Sequence, residues 1–485
     1  MATESTLRVI TTRVTGRADG IGEHRGVSDS LRLLPRSGLL PRSGLLPKWA
    51  RLLKWTLRAG FSILDQGLVS AANFGLSVLL ARLLLPVQYG AFAIAFSTFF
   101  VAAGVHNALL VEPMSVLGPA RYQNELIPYM GRVFRLHILI TCPLALAGAV
   151  ASLFFFRTAL GPALLVMSLC LPFILLFWTT RRAHYLESNA DRAATSSLLY
   201  CFALTLFIVI ARKSGHLTVG TSFVSMAAAS VIAGMFSLRS LKVGLRMGTA
   251  AKEELKLAFR EHWSFGKWIV PSALLFPLVF QVQIFATGAL LGLPAAGVLR
   301  ALQNPIMPAI QVVTALALLA IPPLARNFGE GRTNETYRRG WIYTGSMVVV
   351  AGAYELVLVA TGGLWDSLFY KSRYVEWEFL MPLLGLVPVA SAVTAGCSVI
   401  LRAIQRPGLI TAANLVGGIF GIASIYPLIE KWNLGGAAYG LLASQVVTAL
   451  ASVGLVFFAK WNPSGLESAR TFPDPAASIA CTESS

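Results

Sequence analysis

Charge is what this sequence has least of. Of 485 residues only 13% are charged and 55% are hydrophobic, and the mean hydropathy is +0.67. A soluble domain carries about 25% charged residues, so a soluble globular class is excluded. Cysteine is also scarce. The five present (Cys142, Cys170, Cys201, Cys397, Cys481) show no paired spacing and four lie in apolar runs, which excludes a disulfide framework and a metal site. No GxxxxGK[ST] loop, HExxH or GxSxG elbow occurs. Ser264-Phe265-Gly266-Lys267 matches SxxK, but at a predicted span entrance with no second motif. With only short loops on the outer side, neither a cofactor nor an enzyme is expected. Acidic residues are few, 22 against 40 Lys and Arg, for a net charge of +18. Those bases follow membrane topology, so no nucleic-acid partner is inferred.

What is there is a long series of apolar runs. Twelve spans are predicted, at about 61–84, 89–111, 133–156, 159–180, 193–211, 217–238, 267–291, 296–323, 341–363, 379–401, 409–429 and 435–459. Each rises close to or beyond the ~30 Å hydrocarbon core of a bilayer. With the N-terminus placed in the cytoplasm, most Lys and Arg fall on the cytoplasmic side, which puts both termini there. The expected fold is therefore an all-α polytopic membrane protein of about twelve helices in two six-helix lobes. Its domains are a basic flexible arm 1–60, a lobe 61–238, a linker 239–266, a lobe 267–459 and a cytoplasmic tail 460–485. In the arm, Leu33 to Gly38 repeats identically as Leu39 to Gly44, and its prolines and glycines forbid a continuous helix. In the linker, Leu255, Ala258, Phe259 and His262 share one face of a helix suited to the membrane interface. The turns Leu83 to Gly90 and Leu291 to Gly297 echo each other, each with proline and glycine at the corresponding place, as in parallel repeats.

The polar residues inside the spans are ordered. Ser62, Gln66, Ser70, Asn73 and Ser77 form one narrow stripe on span 1, and Arg300, Asn304 and Gln311 form another on span 8, with Gln303 to one side. Lipid offers such stripes no hydrogen-bond partner, so they are expected to face a cavity. Pro305 and Pro308 free carbonyls beside the second stripe. Gln281 and Gln283 lie on opposite faces of span 7, and the clustering of Ser272, Gln283 and Thr287 favours Gln283 for the cavity wall. Arg82 points away from its stripe and is expected to snorkel. Asp65 either binds a coupling cation or proton or pairs with a basic residue of the neck; Glu355, mid-span, needs a partner or water and is the second ion-coupling candidate. An imidazole ordinarily titrates near neutral pH, but His106 and His137 are expected to be structural.

Residues Leu80 to Leu83, Tyr89 to Phe92, Asn107 to Met114, Leu299 to Pro305 with Pro308, and Leu401 to Pro407 carry a resemblance to a known family. Over about 58–460 the chain resembles the Wzx-like polysaccharide and oligosaccharide-lipid flippases of the multidrug/oligosaccharidyl-lipid/polysaccharide (MOP) exporter superfamily. The resemblance implies a two-lobe, alternating-access transporter in a bacterial inner membrane. Its implied substrate is an undecaprenyl-pyrophosphate-linked glycan for surface or exopolysaccharide assembly, and its implied partners are membrane lipids and polysaccharide-assembly enzymes. The alternatives are a cation-coupled multidrug antiporter of the same superfamily and a membrane-embedded glycan polymerase or transferase.

Overall fold

A chain this apolar has no solvent for its backbone polar groups in lipid, and the helix satisfies them within one segment. In the computed structural model, which describes residues 48–187, 189–243 and 251–462, every regular element is helical. The first half comprises α1 (Lys48–Leu83), α2 (Pro86–His106), α3 (Glu112–Arg121), α4 (Leu126–Leu153), α5 (Leu160–Leu186), α6 (Ala190–Lys213) and α7 (Val219–Ser240). Helix α8 (Ala251–Gly266) connects to α9 (Val270–Leu290), α10 (Leu293–Gln303), α11 (Met307–Gly329), α12 (Thr333–Ala360), a short α13 (Gly362–Trp365), α14 (Met381–Ala403) and α15 (Pro407–Trp461).

Ten helices among the described residues are long and apolar enough to cross a membrane. The last of them breaks at Asn433, whose φ is 49°, into two limbs. Counting these separately and adding α9 gives the twelve expected passes, in a multi-pass, all-helical membrane protein.

Several expected boundaries move. α1 begins at Lys48, well before residue 61. The second pass continues beyond His106 through a π-helical turn, Asn107–Val111, into α3. The eighth pass is interrupted by a 3-10 turn, Asn304–Ile306, where Pro305 cannot donate to the helix ladder. The repeat in the arm and most of the tail lie outside the described residues.

We call the end of the bundle where α1 enters the near side and the end it reaches at Leu83 the far side. At the far side the two echoed turns pack on each other. A Cβ on Gly90 would lie 1.7 Å from the Leu293 carbonyl oxygen, and one on Gly297 would lie 3.0 Å from the Gly90 nitrogen. Only glycine permits these backbones to approach so closely. Below this crossing an aromatic column runs down α2. Phe92 stacks on Phe96 at 5.3 Å and on Phe223 of α7 at 5.4 Å, and Phe99 meets Trp178 of α5 edge-on at 5.5 Å. Towards the near side α11 packs on α12 and α14.

Helix α8 docks on the first half rather than presenting its whole apolar face to lipid. Ala258 and His262 are buried and Leu255 is half-buried, but Phe259, expected on the same face, is exposed. The Leu109 carbonyl can only accept, so His262 donates to it from Nδ1 at 3.3 Å and accepts from the Tyr129 hydroxyl at Nε2, 2.9 Å away. Glu261 takes Arg121 at 3.0 Å and the Tyr122 hydroxyl at 2.6 Å, and Glu254 faces Arg132 at 3.5 Å. Burial, reinforced by Glu261, pushes the Tyr122 phenol up to about 12 and keeps it a donor.

Candidate functional site

The two polar stripes meet. Midway along α1, Gln311 Nε2 of α11 donates to Ser70 Oγ at 2.9 Å. Two turns further, Ser77 Oγ donates to Asn304 Oδ1 at 3.0 Å. Both stripes therefore lie along one seam, α1 on one wall and α10 and α11 on the other. Gln311 and Gln66 are exposed, Ser70 and Asn73 half-buried, and Ser77 and Asn304 buried, so the seam closes towards the far side. Asn73 Oδ1 is buried with no hydrogen-bond partner.

At the closed end the hydroxyls of two tyrosines complete the cluster. Asn304 Nδ2 donates to Tyr89 at 3.1 Å and to Tyr370 at 3.2 Å. Tyr370 in turn donates to the Ala301 carbonyl at 2.9 Å, the acceptor that Pro305 would have served had it carried an N–H. The Tyr354 hydroxyl donates to the Pro305 carbonyl at 2.6 Å. Thus the proline break that exposes carbonyls is stabilised by tyrosines drawn from the second half of the chain.

Arg300 is 5% exposed, and its guanidinium carbon lies 5.4 Å from the centre of the Phe96 ring. Its Nε has no hydrogen-bond partner, and among the described residues no carboxylate pairs with it. Gln303 is buried beside it with Nε2 unpartnered. A guanidinium sunk to this depth without a counter-charge is expensive unless an anion visits it.

Other expected residues are placed differently. Asp65, 1% exposed, is held by Arg181 of α5 at 3.1 Å and by the hydroxyls of Tyr185 and Ser197. Its cation is thus a side chain of α5, not of the neck, and both of its oxygens accept hydrogen bonds. Gln66 accepts from the same Arg181 at 2.8 Å. Gln283 is fully buried against Gly440 of α15, whose Cβ position lies 3.3 Å from Gln283 Oε1, while Gln281 reaches α2 and accepts from Ser97 at 2.7 Å. Of the two amides on opposite faces, the one favoured for the cavity wall is therefore the one turned into the second half. Both its polar atoms, and Thr287 Oγ1, lack partners. The side chain of Ser272 lies outside the described residues. Glu355 lies against Gly385 of α14 with Oε2 buried and unpartnered. His106 and His137 bond each other at 3.0 Å, as packed structural histidines can. Arg82 is exposed.

The far-side closure was not anticipated. Arg373, between α13 and α14, donates to the carbonyls of Ala81 at 3.0 Å and Leu84 at 2.6 Å, and the Tyr374 hydroxyl reaches Ala81 at 3.2 Å. These bonds cap the last turn of α1, where free carbonyls and the helix dipole favour a cation. Asp366 accepts from the Tyr374 backbone N–H at 3.1 Å and holds the segment in shape. The only sequence signal was the free carbonyl set that every helix end presents.

This arrangement of helices is the fold of MATE-type transporters of the MOP superfamily. The eukaryotic MATE transporter AtDTX14 superposes with a TM-score of 0.61 at 17% identity, over 86% of this chain and 99% of that one. A MOP superfamily transporter from Pyrococcus furiosus, described as having a binding pocket of reverse polarity, gives 0.63 at 12% identity, over 85% and 96%. An inward-facing multidrug resistance MATE transporter gives 0.60 at 13%, over 87% and 99%. In sequence the chain is similar to Protein DETOXIFICATION 55 of Arabidopsis thaliana, 26% identical over 163 residues, or 32% of each chain. The match thus spans about a third of that relative's length. No protein-family model matches.

Proposed function

We propose that the protein is an alternating-access transporter that flips a lipid-linked oligosaccharide with an anionic, pyrophosphate-type headgroup across a bacterial inner membrane. The observation that carries this reading is Arg300, a buried guanidinium with no carboxylate partner among the described residues, at the closed end of a seam of amides and hydroxyls. A pyrophosphate accepts several hydrogen bonds from a guanidinium and compensates its charge. Sugar hydroxyls exchange water for Gln66, Ser70, Asn73, Gln303 and Gln311. The lipid tail stays in hydrocarbon while the halves 61–238 and 267–459 rock against each other. Enzymes of polysaccharide assembly would then supply and consume the glycan.

The second reading is a cation-coupled small-molecule (multidrug) antiporter of the same superfamily. The unpartnered Glu355 carboxylate favours it, as do the solved multidrug MATE structures that share the fold. The test is reconstitution in proteoliposomes with a fluorescent lipid-linked oligosaccharide, following exposure of its headgroup on the opposite leaflet. Arg300→Gln is expected to lower the flipping rate at least tenfold, about 1.4 kcal/mol of lost interaction, in a protein that remains folded. Flipping that is absent in the native protein, with drug uptake that Glu355→Gln abolishes, would establish the antiporter; new glycosidic bonds would establish a transferase.

A further inference from the structure

The exposed face of α8 is built differently from its docked face. Lys256, Phe259, Arg260 and Trp263, with Lys267 in the turn that follows, fall on one stripe at helical spacing and are all exposed. Phe259 and Trp263 stack at 6.3 Å and are 39% and 50% exposed; Trp268, next to Lys267, is 79% exposed. The acids of the helix leave this stripe basic. Glu261 turns to Arg121, the exposed Glu254 pairs with Arg132 on the docked side, and of the helix's acids only Glu253 approaches Lys256, at 4.0 Å.

The depth of the stripe follows from the docked face. A Cβ on Gly266 would lie 2.7 Å from the Ala108 carbonyl oxygen, so the end of α8 touches the π-helical turn of the second pass directly. Ala108 lies ~33 Å along the helix from Pro86 at the far side, about the thickness of the hydrocarbon core. The end of α8 is therefore at the level of the near-side headgroups, and after three intervening residues the chain re-enters the membrane as α9. Aromatic side chains at that level prefer the interface, and cations beside them prefer anionic lipid.

We propose that the Lys256–Phe259–Arg260–Trp263–Lys267 stripe is a docking surface for the anionic phospholipid headgroups of the near leaflet. Phe259 and Trp263 insert at the acyl boundary while the three cations hold phosphate groups. Because the opposite face is bonded to the first half through His262, Glu261 and Glu254, the docked lipid bears on the helix that leads into the second half.

The test uses the full-length protein in nanodiscs of phosphatidylcholine containing 30% phosphatidylglycerol, with the bound lipid counted by native mass spectrometry. A K256Q/R260Q/K267Q variant is expected to lose the preference for phosphatidylglycerol at least tenfold, since each cation near an anionic surface contributes roughly fivefold. A spin label placed by Trp263→Cys should also show oxygen accessibility characteristic of the interface. The proposal is overturned if the variant retains phosphatidylglycerol as the native protein does. It is equally overturned if the label is water-exposed, as it would be on a surface reserved for a protein partner. Neither readout depends on which substrate is transported.

Discussion

Asp65 and Arg181 show how a single residue can be legible in kind and illegible in role. Its cost in a span marks Asp65 as a group that must have a partner. That the partner is Arg181, with Tyr185 and Ser197 each donating to one of the two oxygens, depends on α5 and α6 packing beside α1. Removing one member of such a buried pair strands the other, at about 3–5 kcal/mol. Asp65→Asn is therefore expected to lower the thermal midpoint of the purified protein by several degrees, and adding Arg181→Gln to recover part of that loss. A coupling site free to exchange cations would behave otherwise: Asp65→Asn would leave the midpoint in place and remove a cation-dependent stabilisation. Gln281 and Gln283 carry the same lesson. Helical geometry shows that the two amides diverge, but which of them meets the other half is set by the rotation of α9, and that is a property of its neighbours.

At the scale of elements, helix periodicity is strong because lipid leaves the backbone no alternative, and the pairing of α1 with the eighth pass could be read from two aligned stripes. The linker helix was legible as amphipathic, yet its sidedness was not, because both of its long faces carry apolar groups and only the docked one holds the histidine. Burial pushes His262 down to about 4, against smaller upward effects of the Leu109 carbonyl and Glu261. The ordinary value is about 6.5, so docking of α8 is independent of pH above that value. As pH falls from about 6.5 towards 4, the undocked helix takes up a proton that the docked one refuses, and docking weakens by up to ~1.4 kcal/mol per pH unit. Hydrogen exchange across α8, corrected for the intrinsic pH dependence, is expected to show protection falling between pH 7.5 and 5.0. His262→Gln, which can still bond both Tyr129 and Leu109, should abolish that dependence; an unchanged slope would remove His262 as its source.

For the whole molecule, the far-side closure is the feature a linear reading reaches least. Arg373 bonds carbonyls 289 and 292 positions earlier in the chain, from a segment bent by positive φ at Lys371 and Ser372. Neither the long separation nor the bend leaves a local pattern, whereas the glycine and proline echo that brings α2 against α10 does. The proposed alternating access requires this side to part, which sets the capping bonds of Arg373 and Tyr374 between the present state and one open on the far side. Charge-assisted bonds contribute about 1.5–3 kcal/mol each, enough for their loss to shift a two-state balance by tenfold or more. A cysteine at Asn73, half-buried in the seam, provides the reporter. In Arg373→Ala its labelling by a membrane-impermeant thiol reagent from the far side should rise by about tenfold, while labelling of a Gln66→Cys reporter from the near side falls. Because the two sides exchange accessibility only if the halves move as units, a rise at Asn73 with no fall at Gln66 would mean local fraying of α1. Equal labelling of native and variant protein would show that the closure rests on the Gly90–Leu293 crossing and the Ser77–Asn304–Tyr89–Tyr370 cluster rather than on Arg373.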